Sequence, residues 1–311
     1  MEQNQNRGIL FIVLGASAFG LMPSAAKYAY LDGAGMLEVV WFRSVFAVIG
    51  LVATMKLMHR SLAVAQSELW LLAFVGLIQA VGALGIIGAF ILLDISLASL
   101  IIFSFPFYVA IYNHLAGRSR LSPAYFGTMI GVVVGLGLIL SVDTRSVSVL
   151  GLGLAFLGSL FAAIMVLIVT PISKRIGAVR VNTHINLWAT VYYSFAAVAL
   201  LPIFSSASLS FPSGFTGWVA IAGAGLAFAL GFVWFFLGAG MIGTTRASVL
   251  SLMEPVLMIG VAIVLIGERP EPLQWLGVGI TLACLLAGEL VSGRAKVGDP
   301  AGPAGPGRTN T

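Results

Sequence analysis

Apolar residues run along this chain in blocks of about 20, separated by short polar breaks, and charges inside the blocks are rare. A block of that length, wound as a helix, crosses the roughly 30 Å of hydrocarbon in a bilayer. The pattern predicts ten helices, at 8–29, 36–58, 69–93, 96–116, 123–141, 149–170, 183–203, 215–242, 246–267 and 272–291. This is an all-α integral membrane fold. The connections are short and leave no room for an extramembrane domain. The segment from Ser292 to Thr311 is rich in Gly, Pro and Ala and has no apolar period, so it is expected to be a disordered tail. Arg7, the apolar run after it and Ala16-Ser17-Ala18 have the outline of a signal peptide. The run continues to Ala29, however, which predicts a retained helix.

Composition strengthens this picture. Of 311 residues, 59% are hydrophobic and 9% charged, with a mean hydropathy of +1.06; a soluble domain carries roughly 25% charged residues. The single cysteine, Cys284, lies in an apolar run and supports neither a disulfide framework nor a thiolate metal site. The net charge of +5 is spread over short loops, so no nucleic-acid partner is implied. With the N-terminus in the cytoplasm, that side receives Arg7, Lys56, Arg60, Arg118, Arg120, Lys174, Arg175, Arg180, Arg246, Arg294, Lys296 and Arg308. The other side receives Arg145 and Arg269. This asymmetry satisfies the positive-inside rule and predicts that both termini are cytoplasmic.

Laid on itself with a shift of 149, the chain matches Gly76, Leu77, Ala80, Gly82, Ala98, Ser99 and Pro106 to Gly225, Leu226, Ala229, Gly231, Ala247, Ser248 and Pro255. Two five-helix repeats follow, at 8–141 and 149–291. Five is odd, so the second repeat enters from the opposite side: the loop at Asp94 faces out and its mate near Arg246 faces in. Inverted repeats of this kind place a small-molecule site between their halves and rock around it.

Several residues stand out against the apolar background. Pro106 and Pro255 are mates near mid-span, and each removes a backbone donor from its helix, here for the carbonyls of Ile102 and Ser251. They act as hinges or as packing kinks. Glu254 is a carboxylate at membrane depth, hence a proton or substrate-charge site, or an anchor bonded to neighbouring backbone. Arg43 is the other deep charge; it can snorkel outward or pair with Glu254. Lys27 and Glu38 lie near the outer helix ends. Thr183, Asn186, Thr190 and Tyr193 form a polar stripe at helical spacing, while Ser251 lies one turn before Glu254. Gln79, and the aromatics Phe105, Tyr108, Tyr112, Trp188 and Trp234, are candidates either for substrate contact or for ordinary packing. Gly127, Gly131 and Gly135, with Gly277 and Gly279, allow close helix approach within the fold or across a homodimer interface. The three histidines are scattered, and no phosphate loop occurs. Enzyme chemistry, ATP-driven pumping and a bound cofactor or metal are therefore not expected.

Leu252-Met253-Glu254-Pro255-Val256, Gly267-Glu268-Arg269 and Trp275-Leu276-Gly277-Val278-Gly279 resemble the end of the EamA-type repeat of the drug/metabolite transporter superfamily. Pro106 followed by Gly127 resembles the same end in the first half, and Arg43 resembles that family's arginine. One departure is Ser119, which stands where the first repeat would carry a mate for Glu268. The resemblance implies two inverted five-helix units. It also implies secondary transport of small organic solutes in a bacterial inner membrane, often the export of amino acids, aromatic metabolites or toxic compounds. Uptake of nucleotide sugars or vitamins, and a channel or scaffold without turnover, are the alternatives.

Overall fold

The computed structural model describes residues 2–93, 95–119, 121–140, 148–200, 210–266 and 269–297. The expectations for Asp94, Arg120, Arg145, Glu268 and the tail beyond residue 297, Arg308 included, lie outside them. Every element is helical: α1 (Glu2–Leu31), α2 (Met36–Leu57), α3 (Gln66–Leu92), α4 (Ile95–Ile102), α5 (Phe105–Leu115), α6 (Pro123–Ile139), α7 (Val149–Ile176), α8 (Ala178–Leu200), α9 (Phe215–Ile242), α10 (Thr244–Leu250), α11 (Glu254–Ile266) and α12 (Pro272–Val297). Among the described residues, seven helical stretches are long and apolar enough to cross a membrane, and α6 is a shorter apolar helix.

Several sequence-based boundaries need correction. The fourth and ninth blocks are not continuous helices. Phe103 and Ser104 separate α4 from α5, and a 3₁₀ turn at Ser251–Met253 separates α10 from α11. The two interruptions are mates under the 149-residue shift. Each falls just before a proline, whose ring and missing N–H are incompatible with the preceding helical turn. In the second break the Glu254 N–H donates to the Ser251 carbonyl, so this carbonyl is recaptured rather than left free. Lys174 and Arg175 lie in the last turn of α7, which passes through Pro171, instead of in a loop. Gly177, at φ +95°, turns the chain directly into α8. Arg246 is likewise helical, and α12 continues past Ser292 to Val297.

Loop contacts define two ends of the bundle. At one end, Arg180 Nε donates to the Ser61 carbonyl, and Arg175 pairs with Glu68 at 2.6 Å. There too, Gly8 abuts Ile242 and Lys174 lies beside Gly240. Asn113 Nδ2 donates to Oγ1 of Thr244 (2.8 Å) and Thr245 (2.9 Å), and Arg246 pairs with Glu289. At the other end, Asp32 caps the start of α9 by accepting from the N–H groups of Gly214 (2.9 Å) and Gly217 (3.0 Å). Gly151 abuts Leu92 and Leu93 there, and Gln274 Nε2 donates to the Ile139 carbonyl. Helices that are mates in sequence consequently run in opposite directions: α1 leaves the end that α7 reaches, and α3 leaves the end that α9 reaches.

The halves interlock instead of standing side by side. α1 packs along α9 and its mate α7 along α3; α2 meets α8 and α9, and α8 meets α3. The repeated glycines sit at these crossings. A Cβ on Gly76 would meet Trp188 and the Ile185 carbonyl of α8, while one on Gly225 would meet the Arg43 carbonyl of α2. Gly82 faces Phe161 of α7, and its mate Gly231 faces the Phe19 ring of α1.

α6 and α12 pack on each other beside this core and enclose a separate hydrophobic cluster that includes Met129, Val132, Leu136 and Leu285. Gly277 touches the Gly135 carbonyl and the Ile139 nitrogen, whereas a Cβ on Gly127 or Gly279 would meet nothing within 4 Å. The glycine rows therefore serve this intramolecular crossing only in part. Overpacking a tight contact costs roughly 1–3 kcal/mol. Gly277→Ala is expected to lose that much in thermal unfolding of the solubilised protein. Gly127→Ala should change stability by less than about 0.5 kcal/mol, as an open surface position does.

Candidate functional site

Two regions gather the polar groups that the apolar core does not explain. The first is the break before α11. Proline at position 255 forces the chain out of α-helical bonding at Ser251–Met253 and places Glu254 at the start of the next helix. α11 lies on α1, whose Gly20 lets the Glu254 carbonyl and the Met258 nitrogen approach. The Glu254 side chain is partly covered and has no hydrogen bond or ion pair among the described residues. An ion pair with Arg43 is not formed, and no anchoring bond to neighbouring backbone is present. Ser251 is buried and donates to the Ser248 carbonyl at 2.8 Å, so its hydroxyl is occupied within its own helix. The mated break in the first half is held differently: Ser104 and Ser159 of α7 share a hydrogen bond at 3.1 Å.

The second region lies where α1, α2, α8 and α9 converge. The Arg43 guanidinium sits over the Phe228 ring, 3.9 Å from its centroid. A cation on an aromatic face is stabilised by about 2 kcal/mol when desolvated. Tyr30 and Tyr193 interact with Arg43 electrostatically. The buried Arg43 Nε and the Tyr193 hydroxyl have no hydrogen-bond partner among the described residues. Phe228 packs edge-on against Phe232 and Phe19, giving an aromatic wall below the charge.

The polar stripe on α8 is real but largely self-satisfied. Thr183 donates to Val179, Thr190 to the Asn186 carbonyl, and Asn186 Nδ2 to Asn182. Back-bonding of this kind is the usual fate of hydroxyls inside apolar helices. Gln79 Nε2 donates to Asn186 Oδ1 at 3.2 Å, which leaves Gln79 Oε1 buried and unpaired. Trp188 stacks on Tyr192, and its Nε1 is also unpaired. Gln79 is the sequence mate of Phe228, and Tyr192 that of Arg43. The two halves thus present different chemistry, one neutral and one cationic, at equivalent places.

Other candidates are placed in packing or at the rim. Phe105 and Tyr108 pack against the main core, while Tyr112 is exposed with Arg118 over its ring at 5.3 Å. Trp234 lies about 200° round α9 from Phe232, away from that aromatic wall. Glu38 is buried and accepts from the Ser210 N–H, so it ties α2 to the loop before α9. Sequence reasoning missed Tyr30, Phe228 and Asp32 as contributors, along with the Arg246–Glu289 pair. That pair joins α10 to the outlying α12 beside Tyr125. Partners so distant in sequence leave no spacing signal.

Residues 149–287 match the model of the EamA-like transporter family. Over that stretch the chain is similar to the EamA type of the drug/metabolite transporter superfamily. That match indicates a membrane transporter of small solutes. No curated protein matches it in sequence. Twenty-nine chains of solved structures do match. One of them, a "Crystal structure of protein", superposes with a TM-score of 0.76 over 93% of this chain and 98% of its own at 15% identity. At that identity the likeness concerns the fold alone.

The Arg246–Glu289 pair is mostly covered, with 13% and 20% of the side chains exposed. Removing one partner of a buried pair strands a charge at a cost of about 3–5 kcal/mol, whereas removing both is much cheaper. Arg246→Met and Glu289→Leu are each expected to lower the melting temperature sharply. The double variant should recover most of the loss in a double-mutant cycle.

Proposed function

We propose that this chain is a secondary transporter that exports small organic metabolites, amino acids and aromatic compounds among them, by alternating access. The observation that carries this reading is the pair of helix breaks at mated positions, before Pro106 and before Pro255. Each break interrupts a helix at membrane depth, where backbone can leave helical form only if protein or water satisfies it. Counting each broken pair as one span, and α8 as another, gives ten spans in two inverted halves, 8–141 and 149–291. The opposed directions of mated helices support this count. The end that gathers Arg7, Lys56, Arg60, Arg118, Lys174, Arg175, Arg180 and Arg246 is then the cytoplasmic one, with both termini on it, in a bacterial inner membrane.

In this scheme Pro106 and Pro255 are the hinges. Solute lies between the interlocked halves, bounded by Arg43, Gln79, Asn186 and Trp188, with Glu254 as the coupling acid. A carboxylate without an internal partner at that depth is a group that can take and release a proton as the site opens to either side. Phe105, Tyr108, Thr190, Ser251 and Trp234 remain secondary candidates, because their visible contacts are packing or local bonding. Export is supported by the family resemblance.

Topology and coupling are separately testable. Cysteines introduced at Ser61 and Ser213 in the full-length protein should label from opposite sides of intact vesicles; labelling from one side removes the inverted arrangement. In inside-out vesicles with an acid lumen, phenylalanine should accumulate against its gradient, and trans phenylalanine should accelerate its entry. With Glu254→Gln, gradient-driven accumulation should fall at least tenfold while exchange at equal pH persists. Unchanged rate and pH dependence would exclude Glu254 from coupling.

A further inference from the structure

We infer that Arg43, Tyr193 and Tyr30 form a receptor for the carboxylate of a small aromatic acid, two to three turns along α1 from Glu254. The inference rests on the transport reading and specifies the chemistry of its site. Arg43 lies seven residues into α2, about 10 Å from the start of the helix at 1.5 Å per residue. A guanidinium taken from water at that depth normally has an anion against it, because its five donors have no other way to recover what hydration supplied. Here the acids at the same end are already engaged: Asp32 caps α9 and Glu38 holds the Ser210 N–H. No carboxylate of the described residues pairs with Arg43, and its Nε is buried without an acceptor.

The surroundings are built for an anionic guest. Tyr193 is 6% exposed, and its hydroxyl, which can donate, is buried and unpaired. Tyr30 is 41% exposed and adds a second phenol within electrostatic reach. The ring of Phe228 lies against the guanidinium, whose fork of donors suits a planar, two-oxygen acceptor. Phe19 and Phe232 supply the apolar surface next to it. One guanidinium balances one negative charge, so the fit is to a carboxylate rather than to a doubly charged phosphate monoester. Gly20, beside Glu254, and Tyr30, which interacts electrostatically with Arg43, are ten residues apart on α1, about 15 Å along its axis. The two charges therefore belong to separate tasks: one holds the solute and the other carries the proton.

The test uses the purified full-length protein and three probes of one shape: 3-phenylpropionate, its amide, and phenyl phosphate. 3-Phenylpropionate should raise the melting temperature with an affinity at least tenfold better than that of either other probe. Arg43→Gln should erase this preference, Arg43→Lys should restore part of it, and Tyr193→Phe should weaken acid binding several-fold without changing amide binding. Equal binding of acid and amide by the unsubstituted protein overturns the receptor, as does preference for phenyl phosphate, or an acid preference that survives in Arg43→Gln. If Arg43→Gln does not fold, the comparison of probes on the unsubstituted protein decides. Counterflow in liposomes separates the two readings. Transport of phenylalaninamide and phenylalanine alike, without acid preference, removes the receptor and leaves the carrier. Acid binding without counterflow keeps the receptor and removes the carrier.

Discussion

In hydrocarbon a backbone N–H or carbonyl has no water to turn to, and each one left unpaired costs several kcal/mol. Continuous helices meet this constraint, and most of this chain consists of them. At Pro106 and Pro255 the chain cannot meet it in the same way, because proline has no N–H to offer. The structure responds with interruptions at Phe103–Ser104 and Ser251–Met253, each closed by a local backbone hydrogen bond. In the first half, the Ser104 N–H donates to the Ile101 carbonyl; in the second, the Glu254 N–H donates to the Ser251 carbonyl.

The interlocking of the halves follows from a second constraint. Leu and lipid tails are equally apolar, so helices in a membrane gain little from the hydrophobic effect and must associate through close packing and selective polar contact. The crossings at Gly76, Gly82, Gly225 and Gly231 provide the first. These glycines are mates under the 149-residue shift, and the contacts they make fall in pairs. A helix of one half leans on the other half twice, with α1 on α9 and α7 on α3. α6 and α12, bound to each other and reached through Arg246–Glu289, lie outside these glycine seams.

Departures from the repeat are where chemistry has been added. Glu254 has Phe105 as its mate, Arg43 has Tyr192, and Phe228 has Gln79. Symmetric positions thus hold a charged site on one side and a neutral amide and phenol on the other. The chain holds a guanidinium over an aromatic ring in one place and an unpaired amide oxygen in the other.

Much of this was legible in the residues themselves. Blocks of apolar residues, the 149-residue shift and the proline pairs are local or periodic signals, and hydrocarbon allows only one regular response to them. The helix interruptions were half legible, since a proline announces a disturbance without saying whether the helix bends or breaks. The candidate site was legible only as a list of out-of-place polar residues. Which of them are satisfied depended on partners more than a hundred positions away, as with Gln79 and Asn186 or Asp32 and Gly214. The sequence alone therefore determined the apolar, all-helical character of the chain and the two places where proline disturbs it, because those follow from spacing along one chain. Tertiary structure decided that Thr190 and Ser251 bond to their own helices while Arg43 and Tyr193 keep open donors, because hydrogen-bond satisfaction is a property of neighbours in space.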